Sequence, residues 1–317
     1  MLRKPKVVWV THWAPGGEPA FGSPWRCGTA TYAEHILSRL VDDIDLMVLP
    51  IWTQPHTIVD LDFDILHLNF AEGAPKDTWM PYLVSSAVKK FLTLQDTMPE
   101  GNRTAFTDLF DVVVVNQKVE DQAPNFKYIP IGILEVPPVD RPDNILRIGT
   151  HGWPLPYKMI PEICRAAMEI EGSELLFLMS ESAHVDVYQI RDQCDEMIQG
   201  RVPLTLDATW YSPEEVVRRL QTCSIGVFGC NTHKGGQASA VMSAVAAHIP
   251  VVVNDNWLFE DIKEHTYVAN FNDPKELAAT MRLAHEERGV FPQEFIEARS
   301  MDVVAKMLLE KYKEVLG

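Results

Sequence analysis

Three stretches of this sequence gather residues able to hold an anion. The first runs from Thr11 to Gly28 and carries Gly16, Gly17, Gly22 and Gly28 just before a helical pattern begins. Glycines let backbone N–H groups approach a ligand closely, and a helix start adds a partial positive charge. The second is Gly149-Thr150-His151-Gly152-Trp153-Pro154-Leu155-Pro156-Tyr157-Lys158, where a glycine turn after a strand brings a lysine to the next helix start. An ammonium there can neutralise phosphate that helix amides also bind. The third, Asn231 to Ala240, turns through Gly235-Gly236 into Gln237, Ala238 and Ser239 and a helix of small residues. Each stretch also has a purely structural reading: a surface loop or lid, a solvated lysine, a helix packed tightly on a sheet.

In the first half, His67, Asn69, Gln95 and Asp96 stand near strand ends. A histidine there is either a hydrogen-bonded structural residue or a proton carrier, and Asp96 is either a turn former or a catalytic carboxylate.

The elements that must position these residues alternate along the whole chain. Expected strands are Lys6–Val10, Asp45–Ile51, Asp64–Phe70, Lys90–Gln95, Val112–Asn116 and Tyr128–Ile133. An unbroken run such as Val112-Val113-Val114-Val115 suits a strand of a parallel sheet covered on both faces. Ala30, Ala33, Leu37, Leu40 and Val41 repeat at helical spacing, with Thr29 the expected cap. Pro137, Pro138 and Pro142 mark a linker over 135–144.

After the linker the alternation restarts with strands Ile145–Gly149, Glu174–Ser180, Pro203–Leu206, Ser224–Gly229 and Pro250–Asn254. Helices are expected over Met159–Ile170, from Val185, from Ser212-Pro213-Glu214-Glu215 with its capping box, over Gln237–His248, from Asp273-Pro274, and over Pro292–Val315. The pattern predicts an α/β protein of two doubly wound domains in tandem: 1–134, then 145–291, with the last helix, 292–317, crossing back to the first.

Composition narrows the function classes. The 317 residues are 46% hydrophobic and 23% charged, with a formal net charge of −16. Both halves are acidic, which disfavours general nucleic-acid or anionic-lipid binding. No apolar run approaches the roughly 20 residues of a membrane span. The short apolar run at the N-terminus reads as a first strand rather than a signal peptide, so a cytoplasmic location is expected. Five cysteines without C-x-x-C spacing point away from structural zinc and from a disulfide framework. The P-loop, dinucleotide, zincin and hydrolase signatures are absent from the sequence.

The order of features resembles the GT-B glycosyltransferases, particularly family 4. The matching pieces are Gly28-Thr29-Ala30-Thr31-Tyr32-Ala33-Glu34, Asp64-Ile65-Leu66-His67-Leu68-Asn69, Thr93-Leu94-Gln95-Asp96-Thr97, Ile129-Pro130-Ile131-Gly132, Gly149 to Lys158, and Ala238 to Val252. The resemblance implies two Rossmann-like domains facing a central cleft that takes a nucleotide-diphosphate sugar. It places Lys158 on the donor diphosphate and presents Gln237, Ala238 and Ser239 to it as helix-end amides. Gly28 and Thr29 would close the cleft, and Gln95 falls where the family often has a histidine near the reacting sugar.

Some positions depart from the family pattern. Its arginine partner of the lysine is Trp153, with His151 the nearest substitute. Its two glutamates, eight positions apart, are Gly235 and Ser243, and its glycine before the Pro-Val-Val strand is His248.

These readings predict retaining glycosyl transfer from a nucleotide-diphosphate sugar to an acceptor hydroxyl. Lys158, His151, Gly152, Gln237, Ala238, Ser239, Gly28 and Thr29 would hold the donor, and Gln95, Asp96 and His67 would serve catalysis. No metal and no cofactor beyond the donor are expected. The alternatives are a non-catalytic nucleotide-sugar-binding protein and a sugar-nucleotide enzyme of another type, such as an epimerase.

Overall fold

The computed structural model describes residues 3–11, 28–51, 53–70, 76–94, 103–118, 123–137, 139, 145–180, 186–232 and 239–317. In chain order the elements are β1 (Lys6–Thr11), α1 (Gly28–Leu40), β2 (Asp45–Pro50), β3 (Ile65–Phe70), α2 (Lys76–Ser85), β4 (Lys89–Leu94), β5 (Val112–Val115) and β6 (Phe126–Tyr128). There follow β7 (Arg147–His151), α3 (Ile160–Ala167), β8 (Glu174–Leu178), α4 (Val187–Ile198), β9 (Leu204–Asp207), α5 (Pro213–Leu220), β10 (Ile225–Phe228) and α6 (Ser239–Ala246). The chain closes with β11 (Val251–Asn254), β12 (Tyr267–Ala269), α7 (Pro274–Glu287), α8 (Gln293–Ala298) and α9 (Met301–Leu316). Short 3-10 turns, among them Pro156–Lys158 and Trp257–Phe259, lie between them.

Two compact units result. The first takes in the described residues up to Gly132 together with Met301–Gly317, and the second the described residues from Ile133 to Ser300.

The first unit is a six-stranded sheet in the order β2-β1-β3-β4-β5-β6, parallel throughout. All four valines of β5 are buried, because helices or loops cover both faces of the sheet. Helix α9 belongs to this unit and buries Val304, Leu308 and Tyr312, residues four apart that share one helix face. Its start is tied to α1 by the Arg39–Asp302 ion pair at 2.6 Å. Helix α2 was not anticipated from the sequence, because Pro81 lies inside it. Buried Trp79 and Leu83 hold it to the sheet despite the missing donor.

The second unit is a six-stranded parallel sheet in the order β12-β11-β10-β7-β8-β9. Numbered from its own first strand, this is the doubly wound order 3-2-1-4-5-6, whose switch point lies between β7 and β10. Ile163, Cys164 and Ala167 of α3 and Leu277, Met281 and Ala284 of α7 share one core with Ile148, Phe177, Val227 and Val252. The capping box at α5 is present, with Ser212 Oγ accepting from the Glu215 N–H at 3.3 Å. Asp273 caps α7 by accepting from the N–H groups of Lys275 and Glu276.

Four expectations need correction. Thr29 lies inside α1 rather than capping it, since the helix already begins at Gly28. The run after Tyr128 is not strand: Ile129 still donates to Val115 O at 3.0 Å, but Pro130 has no donor and Ile133 pairs instead with Ser300. That same pairing breaks the expected single helix over Pro292–Val315 into α8 and α9, with Ile133 N–H donating to Arg299 O at 2.7 Å. The helix expected over Gln237–His248 starts, among the described residues, at Ser239 and ends at Ala246. His248 after it takes φ 54°, so the left-handed backbone is kept where the family resemblance expects glycine.

Candidate functional site at the second switch point

Ligands of doubly wound sheets sit outside the carboxyl ends of the strands that flank the switch point. In the second unit those strands are β7 and β10, and the chain after each is shaped by glycine and asparagine. Gly152 follows β7 at φ +117°, a conformation that side-chain-bearing residues rarely adopt, and its N–H donates to Leu178 O at 3.0 Å. Gly229 follows β10. A Cβ there would stand 2.7 Å from the Phe271 ring and 2.8 Å from Met159 Cβ, so only glycine lets the chain pass.

Beyond Gly229 two asparagines pin the loop. Asn254 accepts from the Cys230 N–H and donates to the Cys230 carbonyl, both at 2.7 Å. Asn256 donates to the carbonyls of Cys230 and Thr232, each at 3.1 Å. The two switch-point loops are tied directly, because the Asn231 N–H donates to Tyr157 O at 3.0 Å.

Lys158 closes the 3-10 turn Pro156–Lys158, and Met159 then takes a left-handed φ of 54° before α3. The ammonium comes to 4.0 Å from the point where a Cβ on Gly152 would stand, and Ala240 Cβ of α6 lies 3.7 Å from the same point. Lysine, glycine turn and the start of α6 therefore converge. Small residues let α6 approach the sheet this closely: Ala244 Cβ would be 3.0 Å from a Cβ on Gly226.

Among the described residues no carboxylate pairs with Lys158; its nearest aromatic neighbour is the Tyr157 ring, 5.8 Å from Nζ. Burial pushes its pKa below the ordinary lysine value, with the Cys230 sulfur acting the other way. Ser239, the first described residue of α6, is exposed. A half-buried, uncompensated cation beside a helix start is a place for an anion.

His151, expected as the cationic stand-in for the missing arginine, does not serve as one. Its Nε2 is 3.0 Å from Ser243 Oγ. Burial and the charge of Lys158 push its pKa down to about 3, against a hydrogen bond to the Ala240 backbone, so the ring is neutral at pH 7.

The carboxyl end of the first sheet is built differently. His67 is 0% exposed, with Nδ1 2.5 Å from Tyr312 Oη and Nε2 2.7 Å from Thr93 Oγ1. Trp9 stacks on its ring at 3.8 Å, and burial holds its pKa well below the usual value. The expectation that His67 serves catalysis is therefore corrected: both nitrogens are occupied inside the core. Asn69 donates to Thr11 Oγ1 and to Thr29 O, each at 3.1 Å, which joins the ends of β1 and β3 to α1. Thr29 is thus buried and engaged, while Gly28 is exposed at the first position of α1. Gln95, Asp96, Gln237 and Ala238 lie outside the described residues.

The sequence singles out Lys158, Gly152 and Ser239, which the structure places near one another or on adjoining elements, and does not single out the Asn254 and Asn256 bonds or the pairing of His151 with Ser243. A search for asparagines at and just past the end of the apolar strand Pro250–Asn254 finds the first two, since buried strand ends need side chains to satisfy loop carbonyls.

No helix among the described residues is long and apolar enough to cross a membrane. No protein-family model matches the chain, and no curated protein matches it in sequence. Solved structures do match in fold. HepE of Anabaena, solved in complex with UDP and glucose, has a TM-score of 0.70 at 11% identity, over 98% of this chain and 100% of that one. An E. coli structure described as trehalose-6-phosphate and bound with UDP-2-fluoro glucose gives 0.69 at 11% identity, covering 97% of this chain and 99% of that one. Sucrose-phosphate synthase from Thermosynechococcus elongatus gives 0.68 at 12% identity, over 99% of both. With its two tandem Rossmann-like sheets, the chain has the GT-B fold.

Proposed function

We propose that this protein is a glycosyltransferase that moves a sugar from a nucleoside-diphosphate sugar to an acceptor hydroxyl, with retention at the anomeric carbon. The observation that carries the reading is the Lys158 ammonium, without a carboxylate partner among the described residues and set beside Gly152 and the start of α6 at a doubly wound switch point. The likeness to structures solved with UDP, glucose and UDP-2-fluoro glucose supports the donor class.

As the bond from sugar to diphosphate breaks, negative charge grows on the leaving diphosphate. Lys158 stabilises that charge more in the transition state than in the ground state, which lowers the barrier. Gln237 and Ala238 are assigned to the donor diphosphate on the family resemblance. Gln95 and Asp96 are assigned to catalysis, and Gly28 to holding the donor.

A second reading, a binding protein without turnover, is favoured by one observation: Ser243, where the family resemblance expects a carboxylate, is engaged by His151. Thermal unfolding against a panel of nucleoside diphosphates and their sugars tests the donor site. A ligand at 100 times its Kd adds about 2.7 kcal/mol. The expected result is stabilisation by one nucleotide series, lost in Lys158→Ala; no shift with any member overturns the assignment. Release of nucleoside diphosphate on addition of acceptor then separates transferase from binding protein.

A further inference from the structure

We propose that His151 is a positioning residue, which through Ser243 locks α6 to the end of β7 and so fixes the helix start beside Gly152 and Lys158. What the lock serves rests on the nucleoside-diphosphate reading above; the lock itself rests on geometry alone.

Ala240 Cβ and the Lys158 ammonium both approach Gly152, at 3.7 and 4.0 Å from the position of an added Cβ. The distance between cation and helix start is therefore set by how α6 approaches the residues after β7. Three contacts define that approach, the first of them a hydrogen bond between the His151 ring and the Ala240 backbone. Ala244 rests on Gly226 of β10, and one residue earlier Ser243 meets the His151 ring at 3.0 Å. The ring is itself held from the sheet side by the edge-on Phe228 ring at 6.4 Å.

Residue 151 is the last of β7, so its side chain is the point at which this strand can grip the helix before the chain turns away. Lys158 is the charged group that faces the ring, and its proximity together with burial keeps the imidazole uncharged. A neutral ring can hold a hydroxyl in a fixed direction without adding charge to the anion site, which leaves Lys158 as the cation there.

Amide hydrogen exchange across α6 tests the lock, and titration with UDP and the other nucleoside diphosphates tests its consequence. In His151→Leu, and again in Ser243→Ala, exchange at Ser243–Ala247 should quicken roughly tenfold while α3 and α7 keep their protection. Affinity for the nucleoside diphosphate should fall several-fold in the same two variants, and the double variant should be no worse than His151→Leu alone. His151→Asn, which keeps a neutral hydrogen-bonding group, should recover most of both. The ratio of wild-type to His151→Asn affinity should be equal at pH 6 and pH 8.

Unchanged exchange in His151→Leu overturns the proposal. So does an affinity ratio that grows at pH 6, because the ring would then meet the anion as a cation. If His151→Leu does not fold, Ser243→Ala decides by the same exchange readout. Quickened exchange in a protein whose wild type binds no nucleoside diphosphate sustains the lock and overturns the proposed function instead.

Discussion

The two units each carry a parallel sheet with a topological switch point, and they treat it in opposite ways. In the first unit the switch lies between β1 and β3. There Asn69 bonds to Thr11 and to the Thr29 carbonyl, and His67 bonds to Tyr312 and Thr93. Each of these side chains has a partner from the protein and is removed from water. In the second unit the switch between β7 and β10 has its backbone pinned by Asn254 and Asn256 but leaves the Lys158 ammonium without a counter-charge among the described residues. A satisfied polar group contributes to stability and has little left to offer a ligand. An unsatisfied charge on a rigid frame is poised for one. The two histidines sharpen the contrast: both are neutral, yet His67 is sealed in the core and His151 borders the ammonium.

The largest effect should come from breaking the sealed side. His67→Leu would leave the Tyr312 and Thr93 hydroxyls buried without the ring, at roughly 1–3 kcal/mol for each orphaned group. The expected loss is therefore about 2–6 kcal/mol in urea unfolding, with little change in nucleoside-diphosphate affinity. A loss below 1 kcal/mol, or a selective loss of binding, would place His67 with the site and dissolve the contrast.

Lys158→Ala should do the reverse. A charge-assisted hydrogen bond contributes roughly 1.5–3 kcal/mol, so affinity for a nucleoside diphosphate should drop by about 10- to 150-fold. Isothermal titration of wild type and variant measures this directly. An unchanged Kd would remove Lys158 from the site.

Acid should find the sealed histidine. The folded-state pKa of His67 lies well below its ordinary value near 6.5, so below pH 6.5 the unfolded chain binds a proton that the folded one refuses. Its contribution is complete above the unfolded pKa and is lost as pH falls through it, at a limiting slope of about 1.4 kcal/mol per pH unit. Stability should therefore fall between pH 7 and pH 5, and the slope of stability against pH should flatten in His67→Leu. The downward shift of His151 has the same sign. A first unit whose stability did not fall over this range would mean that His67 accepts a proton in the folded state.

What the sequence disclosed follows the same division. Strands were legible because β-branched runs such as Val112–Val115 have one stable use, a sheet buried on both faces. Lys158 was legible because a lysine after a strand–glycine turn is itself a chemical signal. The break between α8 and α9 was hidden: the pattern stays amphipathic across Arg299-Ser300, and the cause is backbone pairing with Ile133, far away in sequence. The fate of His67 was hidden too. Its partners Thr93 and Tyr312 lie 26 and 245 residues away, and nothing local tells a sealed histidine from a reactive one.

The smallest expected effect is the most discriminating. If the second switch point is built to receive a ligand, Lys158 should contribute almost nothing to folding, because burial disfavours its charge and no carboxylate among the described residues offsets that. Lys158→Met keeps a flexible apolar stem of similar length and removes the ammonium. Without ligand, its stability in urea should lie within about 0.5 kcal/mol of wild type, or above it, as is common where a functional group is held against its own stability. With saturating nucleoside diphosphate the order should invert, since wild type alone gains the binding energy. A variant that lost more than about 1 kcal/mol without ligand would show that Lys158 holds the loop between β7 and α3 together. The two switch points would then differ in their partners and not in their purpose.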